Sequence, residues 1–264
     1  MDKESLNVIK FSSKGNPILL LHGWGQNLES LQPLGELLAR EAEVHLIDLP
    51  GFGKSAPPPQ DWDTIGYAER ILQYIDEQGL EQVDLLGHSF GGRVSIRLAS
   101  RYPVRVRSLV LINSGGLQRQ RNLRQQIRSQ YIKSLRQAFG LIPVYGERLK
   151  AWHSDRFGSR DYKNAGILRG TLVKTVNEDL TEEASRIQKP TLLIWGESDT
   201  ETPIEMGHRY HQIIPNSKLI SLAGRDHFLF RGEGAHLCAY YVKQFLREIA
   251  ETESSLVQKQ LSHV

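Results

Sequence analysis

A chain of 264 residues with 39% hydrophobic and 24% charged residues can bury a sizeable core, and its composition is that of an ordinary globular protein. The acidic N-terminus does not resemble a signal peptide and no apolar run is long enough for a membrane span, so we expect a cytoplasmic protein that is not transmembrane. A single cysteine, Cys238, excludes an internal disulfide and a cysteine-based metal site. No clustered set of ligands implies a metal or an organic cofactor.

Apolar runs alternate with helical stripes along the chain. The predicted strands are Asn7–Phe11, Ile18–Leu21, Val44–Ile47, Val83–Leu86, Val106–Ile112, Thr191–Trp195 and Lys218–Leu222. The predicted helices include Leu31–Arg40, Thr64–Gln78 with Thr64 as its cap, Arg93–Ala99 and Ala235–Ala250. This alternation predicts an α/β fold in which helices cover both faces of a mostly parallel sheet.

The alternation stops between Leu117 and about Gln188, where the chain is helix-like and rich in arginine. We therefore predict a core formed by residues 1–113 and 189–250, a helical cap formed by 114–188 and a flexible tail over 251–264. From Gln118 to Lys174 there are thirteen basic and three acidic residues, a net charge of +10 that leaves −7 for the rest of a chain whose total is +3. This uneven distribution is a stronger signal than the small total charge.

A Gly-x-Ser-x-Gly motif, Gly87-His88-Ser89-Phe90-Gly91, stands between an apolar strand and a helix. In this context a sharp turn exposes the serine at its tip, and small flanking residues give the turn room. The pattern predicts Ser89 as a nucleophile.

A serine hydroxyl needs a general base that is oriented by a carboxylate, and the expected chain order is Ser, then Asp or Glu, then His. Two loops that follow late strands supply these groups. We predict Asp199 as the orienting acid, with Glu197 as the second choice, and His227 as the base. Asp226 adjoins His227, a spacing at which two side chains usually diverge.

Acyl transfer also needs hydrogen-bond donors that face the developing oxyanion. The backbone N–H of Phe90, directly after the nucleophile, is one candidate. Trp24, in the glycine-punctuated loop after the Ile18–Leu21 strand, supplies the second. The Trp24 indole either takes part in the site or simply packs.

The chain resembles members of the α/β-hydrolase superfamily, and within it the small, capped, serine-esterase-like branch. The segments that carry this resemblance are His22–Gly25, Asp48–Ser55, Gly87–Gly92, Gly196–Asp199 and Asp226–His227. The resemblance implies an eight-stranded, mostly parallel sheet with a helical cap over Ser89, although this chain has no obvious long first strand. Ser89 argues against dehalogenase-like and epoxide-hydrolase-like members, which use an aspartate at this turn.

Aromatic residues are interleaved with the basic residues of the predicted cap. In one interpretation the cap is an amphipathic lid, with Tyr131, Phe139 and Trp152 lining a substrate pocket together with Phe228. In the other it docks an acidic partner through Arg121, Arg124 and Arg128. Through His22–Gly25 and Leu49–Gly53 the chain resembles pimeloyl-carrier-protein methyl esterases, which implies an acidic acyl carrier protein as that partner. An anionic membrane surface is the alternative, and nucleic acid is not expected.

These observations predict a hydrolase that cleaves a small-molecule carboxylic ester through a Ser-His-Asp acyl-enzyme mechanism. Hydrolysis of a carrier-linked ester, a thioester, an amide or a carbon–carbon bond, and perhydrolysis, use the same triad and stay open, because fold and triad do not fix the substrate. A small-molecule receptor that retains the triad but turns over slowly is the alternative from another class.

Overall fold

The computed structural model of the chain describes residues 5–11, 14–118 and 160–261. A single sheet lies at the centre of these residues. Its strands are β1 (Val8–Phe11), β2 (Pro17–Leu21), β3 (Glu43–Ile47), β4 (Val83–His88), β5 (Val106–Ile112), β6 (Thr191–Gly196) and β7 (Ser217–Leu222). Their order across the sheet is β1-β3-β2-β4-β5-β6-β7, so the described residues supply seven strands where the resemblance implies eight.

All neighbouring strands are parallel except β1, which pairs antiparallel with β3. The register aligns the ends of the central strands: His88 of β4 is opposite Ile112 of β5, and Ile112 is opposite Ile194 of β6. Since parallel strands end at one edge, the loops that follow β2, β4, β5, β6 and β7 meet there. Ligands of open α/β sheets bind at this edge.

The sheet is buried on both faces. Within β2, Leu19 and Leu21 belong to one core cluster while Ile18 and Leu20 belong to the other. The continuous apolar run of this strand is therefore explained by helices on either side. The helices are α1 (Gln32–Leu38), α2 (Thr64–Glu77), α3 (Phe90–Arg101), α4 (Arg160–Asn164), α5 (Arg169–Asn177), α6 (Thr181–Ser185), α7 (Ile204–Ile213) and α8 (Glu233–Leu261). The predicted α/β class and the doubly covered sheet are confirmed.

One predicted helix cap and one predicted helix end are wrong. Asp63, and not Thr64, caps α2, because its carboxylate accepts the backbone N–H groups of Ile65 and Gly66. The final helix continues to Leu261, so the stretch predicted as a flexible tail is helical as far as that residue. Residues 251–261 contain no glycine or proline, and nothing in their sequence stops a helix once packing of the preceding turns has started it.

The last helix carries the one cysteine of the chain. Cys238 is fully buried, and burial raises the pKa of its thiol to about 12. It packs in the same cluster as Val242 and Phe245 of α8. Among the described residues, no helix is both long enough and apolar enough to cross a membrane.

Part of the predicted cap falls within the described residues. Helices α4, α5 and α6 lie there, and so does the single 3-10 turn Gly166–Leu168. Residues 119–159, which carry most of the predicted cap charges and aromatic side chains, lie outside the described residues.

Candidate active site

Ser89 occupies a sharp turn between β4 and α3. Its backbone has φ 50° and ψ −106°, a conformation that L-residues rarely adopt, and its side chain is half-buried. The close approach of neighbouring backbone explains the glycines around it: a Cβ on Gly91 would overlap the carbonyl oxygen of Leu21, and one on Gly87 would meet the carbonyl oxygen of Gly91. The strand–turn–helix arrangement predicted from the motif is therefore present.

The loop after β2 lies against this turn. Gly91 donates its backbone N–H to the carbonyl oxygen of His22, at 3.0 Å. The indole of Trp24 packs edge-on against the rings of Phe52 and Phe90, with centroids 4.9 and 5.2 Å away. In the described part of the chain, no hydrogen bond uses the backbone N–H of Trp24 or Phe90. The indole is thus a packing group, and neither backbone N–H group is taken up by a hydrogen bond among these residues.

The structure brings Asp199 and His227 into direct contact. Asp199 follows β6 and His227 follows β7, and His227 Nδ1 lies 2.7 Å from Asp199 Oδ2. Both residues are buried. Asp199 Oδ1 also accepts the backbone N–H groups of Glu201 and Thr202, at 2.7 and 2.9 Å. Burial disfavours the charge, but the hydrogen bonds from His227 and Thr202 outweigh it and hold the pKa of Asp199 below its usual range.

The other acids of these two loops are arranged differently. Glu197 is exposed, and the loop brings Asp199 rather than Glu197 to His227. Asp226 is exposed and accepts the backbone N–H of Phe228, which closes a local turn. A further acid, Glu201, lies with its carboxylate 3.4 Å from His227 Nε2, and the sequence interpretation gave it no role.

Aromatic rings surround the imidazole of His227. The rings of His88 and Phe228 lie 4.7 and 5.2 Å from it, measured between centroids. The guanidinium of Arg231 lies over the ring of Phe228, 3.9 Å from its centroid. Phe228, which the sequence predicts as a pocket residue, therefore lies beside the candidate base.

Two further histidines, His22 and His88, are fully buried in neutral form. Burial lowers the pKa of His22 to about 4, and it holds the pKa of His88 well below its usual range. His22 Nδ1 contacts the carbonyl oxygen of Gly23 at 2.8 Å, and its Nε2 accepts the backbone N–H of Leu49 at 3.0 Å. Both rings act as fixed hydrogen-bonding groups beside the turn.

Two polar residues at this edge were not assigned a function from the sequence. Thr202 donates its hydroxyl to Asp199 Oδ2 at 2.7 Å, and Asn113, directly after β5, contacts both the acid loop and the base loop. Their one sequence signal is their position in a loop that follows a buried strand. Three predicted pocket residues, Tyr131, Phe139 and Trp152, and the predicted docking residues Arg121, Arg124 and Arg128 lie outside the described residues.

Comparison with known proteins agrees with this architecture. A family model described as the alpha/beta hydrolase fold matches residues 16–232. The pimeloyl-[acyl-carrier protein] methyl ester esterase of Shewanella woodyi is 30% identical over 226 residues, which cover 79% of this chain and 84% of that protein.

Solved structures also have this fold. A hydrolase from Pseudomonas aeruginosa PA01 gives a TM-score of 0.70 at 22% identity, covering 92% of this chain and 94% of that one. An esterase from Exiguobacterium antarcticum gives 0.69 at 22% identity, covering 91% and 95%. The chain belongs to the alpha/beta hydrolase family and is an esterase-like hydrolase.

Proposed function

We propose that this chain is a serine hydrolase that cleaves a carboxylic ester through an acyl-enzyme. Ser89 is the nucleophile, His227 the general base and Asp199 the orienting acid. One observation carries the proposal: the Asp199–His227 contact of 2.7 Å lies at the sheet edge where Ser89 occupies its sharp turn. A nucleophile, a base and a third group that orients the base form the arrangement that activates a serine.

The chemistry follows from these positions. Ser89 Oγ forms a bond to the acyl carbon while its proton passes to His227 Nε2, and Asp199 stabilises the resulting imidazolium through Nδ1. The backbone N–H groups of Trp24 and Phe90 stabilise the negative oxygen of the tetrahedral intermediate. The intermediate then collapses, the proton goes to the departing alcohol, and a water molecule repeats the sequence to release the acid.

We also propose that residues 114–188 form a cap over this site and that the substrate lies beneath it. The support is the break in strand–helix alternation and the helices α4, α5 and α6 between β5 and β6. Phe228, packed on His227, is a wall of the proposed pocket. Tyr131, Phe139 and Trp152 are the aromatic candidates from the cap itself.

A fluorophosphonate probe and a chain-length series of p-nitrophenyl esters test the mechanism. We expect the probe to label Ser89, and we expect Ser89→Ala and His227→Ala to lower kcat on the order of 10⁴-fold or more. Ser100→Ala, a substitution on the same helix α3 but outside the proposed machinery, is the matched control and keeps the parental rate. A folded protein that resists the probe and turns over no ester would favour the small-molecule receptor.

A second candidate function is hydrolysis of an ester bound to an acidic carrier protein. Its support is the net charge of +10 between Gln118 and Lys174, together with a relative that is named as a carrier-protein methyl ester esterase. Reversing the charge of Arg121, Arg124 and Arg128 is expected to impair a carrier-bound ester far more than a small ester. Equal loss on both substrates, or no loss, would reject carrier docking and leave the ester hydrolase in place.

A further inference from the structure

Asn113 follows β5 directly and lies between the loops that carry Asp199 and His227. It is fully buried, and its φ of +42° lies in a region that asparagine enters more readily than most residues. We propose that Asn113 is a positioning residue, whose side-chain amide holds the loop of the base against the loop of the acid. This inference rests on the proposed function, because Asn113 acts through His227 and Asp199.

The amide of Asn113 makes three hydrogen bonds that connect the two loops. Its Oδ1 accepts the backbone N–H of Gly196 at 2.9 Å, at the start of the acid loop. Its Nδ2 donates to the carbonyl oxygens of Asp226 and His227, at 2.9 and 3.0 Å. The partners also define which way the amide faces, because carbonyl oxygens need a donor and an N–H needs an acceptor.

The main-chain oxygen of His227 is held from two sides. Besides Asn113 Nδ2, it contacts His88 Nε2 at 3.0 Å. His88 ends β4, the strand that leads into Ser89, so the backbone of the base is tied to β4 and, through Asn113, to the neighbouring strand β5. The backbone of His227 therefore has little freedom to shift along the sheet edge.

Asn113 also reaches the acid through its own main chain. Its carbonyl oxygen lies 3.0 Å from Thr202 Oγ1, and that hydroxyl lies 2.7 Å from Asp199 Oδ2. The Thr202 hydroxyl has one proton, which these two acceptors share. One residue thus contacts the acid loop by side chain and main chain, and the base loop by side chain.

The chemistry at this position requires an amide. Aspartate has nearly the same shape, tolerates the positive φ and keeps an acceptor for Gly196, but it would turn a carboxylate oxygen toward the carbonyl oxygens of Asp226 and His227. Glycine removes the side chain without a charge and without backbone strain. In both cases the Asp199–His227 contact loses the support that sets its geometry.

Steady-state kinetics of Asn113→Asp and Asn113→Gly test the proposal on a p-nitrophenyl ester, at a temperature where each variant is folded. A displacement of about 1 Å costs on the order of 10²-fold in rate, so we expect kcat to fall by at least about tenfold while KM changes by less than about twofold. The matched control is Ser108→Ala: Ser108 is buried in β5, near the end of the strand opposite to Asn113, and donates to Asp84 Oδ1 at 2.5 Å. We expect it to lower Tm but to keep the parental kcat.

A spectroscopic signature separates positioning from a general loss of stability. We expect the His227 proton that hydrogen-bonds to Asp199 to give an NMR signal downfield of the amide envelope. This signal should move or disappear in both Asn113 variants, while Ser108→Ala retains it. Parental kcat in either folded variant, an unchanged signal, or an equal kcat loss in Ser108→Ala would overturn the role of Asn113. If Ser89→Ala stays active the proposed function fails, whereas an inactive Ser89→Ala beside fully active Asn113 variants removes this inference alone.

Discussion

At the scale of single residues, Ser89 combines the proposed nucleophile with a backbone conformation that an L-residue rarely adopts. Its φ of 50° and ψ of −106° persist because the turn is clamped: Ser89 N–H donates to Ile112, and its carbonyl oxygen accepts from Gly115. Residues in sparsely populated regions cost about 1–3 kcal/mol each. The conformation that places Ser89 at the sheet edge therefore lowers the stability of the fold.

This strain predicts how two substitutions of Ser89 differ in their free energy of unfolding. Ser89→Gly relieves the positive φ and Ser89→Ala does not, so we expect the glycine variant to be about 1 kcal/mol more stable, after allowance for the entropy that glycine loses on folding. Urea unfolding at neutral pH measures both. An alanine variant as stable as the glycine variant would show that the turn is not strained.

His22 predicts how stability depends on pH. The pKa of His22 is about 4 in the folded protein and 6.5 in the unfolded chain. Between these two values, His22 is protonated in the unfolded chain but neutral in the folded protein. Its stabilising contribution is complete above pH 6.5 and declines as pH falls toward 4; buried His88 acts in the same direction.

We therefore expect the free energy of unfolding to fall between pH 7 and pH 5, by about 2 kcal/mol from His22 alone, since one pKa unit corresponds to about 1.36 kcal/mol. His22→Gln removes this share of the pH dependence, whatever it does to stability at pH 7. Urea titrations of parent and variant at both pH values make the comparison. Parallel losses in the two proteins would contradict the assignment.

At the scale of elements, helix α3 joins Ser89 to the chain segment that precedes β6. Arg93 donates to the carbonyl oxygens of Thr175 and Glu178, at 2.8 and 3.3 Å. One turn further on, buried Arg97 contacts the carboxylates of Glu178 and Glu183. The helix that begins at the candidate nucleophile thus anchors the C-terminal part of the predicted cap segment.

Removing Arg97 should therefore be costly. Arg97→Ala leaves two partly buried carboxylates without their cation, and we expect the free energy of unfolding to fall by about 3 kcal/mol. Arg186→Ala is the matched control: its ion pair with Glu182 is largely exposed, and such pairs contribute about 0–1 kcal/mol. Similar losses in the two variants, measured by urea unfolding, would contradict an anchoring role for Arg97.

Elements were predictable from the sequence where local pattern decides them. The strand Val106–Ile112 was predicted to the residue, and other strands agree within a residue or two, because apolar runs between turn residues are a local signal. The length of α8 could not be predicted from the sequence, because polar residues past Ala250 are compatible with either a helix or a frayed end.

The site divides in the same way. The contact between Asp199 and His227 was predictable because motif order and strand ends define it. The contacts of Asn113 could not be predicted, because its partners are main-chain atoms of loops more than eighty positions away. No side-chain motif encodes such contacts.

At the scale of the whole molecule, charge is divided between two parts of the chain, +10 between Gln118 and Lys174 and −7 in the rest. Such a division steers an acidic macromolecule but has little influence on a small neutral ester. The effect weakens as salt shortens the Debye length, which is about 10 Å at 0.1 M and about 3 Å at 1 M.

If an acidic carrier is the partner, kcat/KM for a carrier-bound ester should fall at least about tenfold between 0.05 M and 0.5 M NaCl, through slower association. The same salt range should change kcat/KM for p-nitrophenyl acetate by less than about twofold. This second substrate is the internal control, since it reports any direct effect of salt on the site. Equal salt dependence of both substrates would argue against electrostatic docking.

Cys238 is a natural probe of local unfolding around α8. The thiol is buried in the core, and burial raises its pKa to about 12. A disulfide reagent at neutral pH therefore reacts with it when the region around α8 unfolds locally. With one sulfhydryl in the chain, each labelling event reports this single location. When the region closes again faster than the reagent reacts, the labelling rate divided by that of the unfolded chain gives the fraction of molecules that are locally unfolded, without any denaturant. Stability could thus be followed under the buffer conditions used for catalysis.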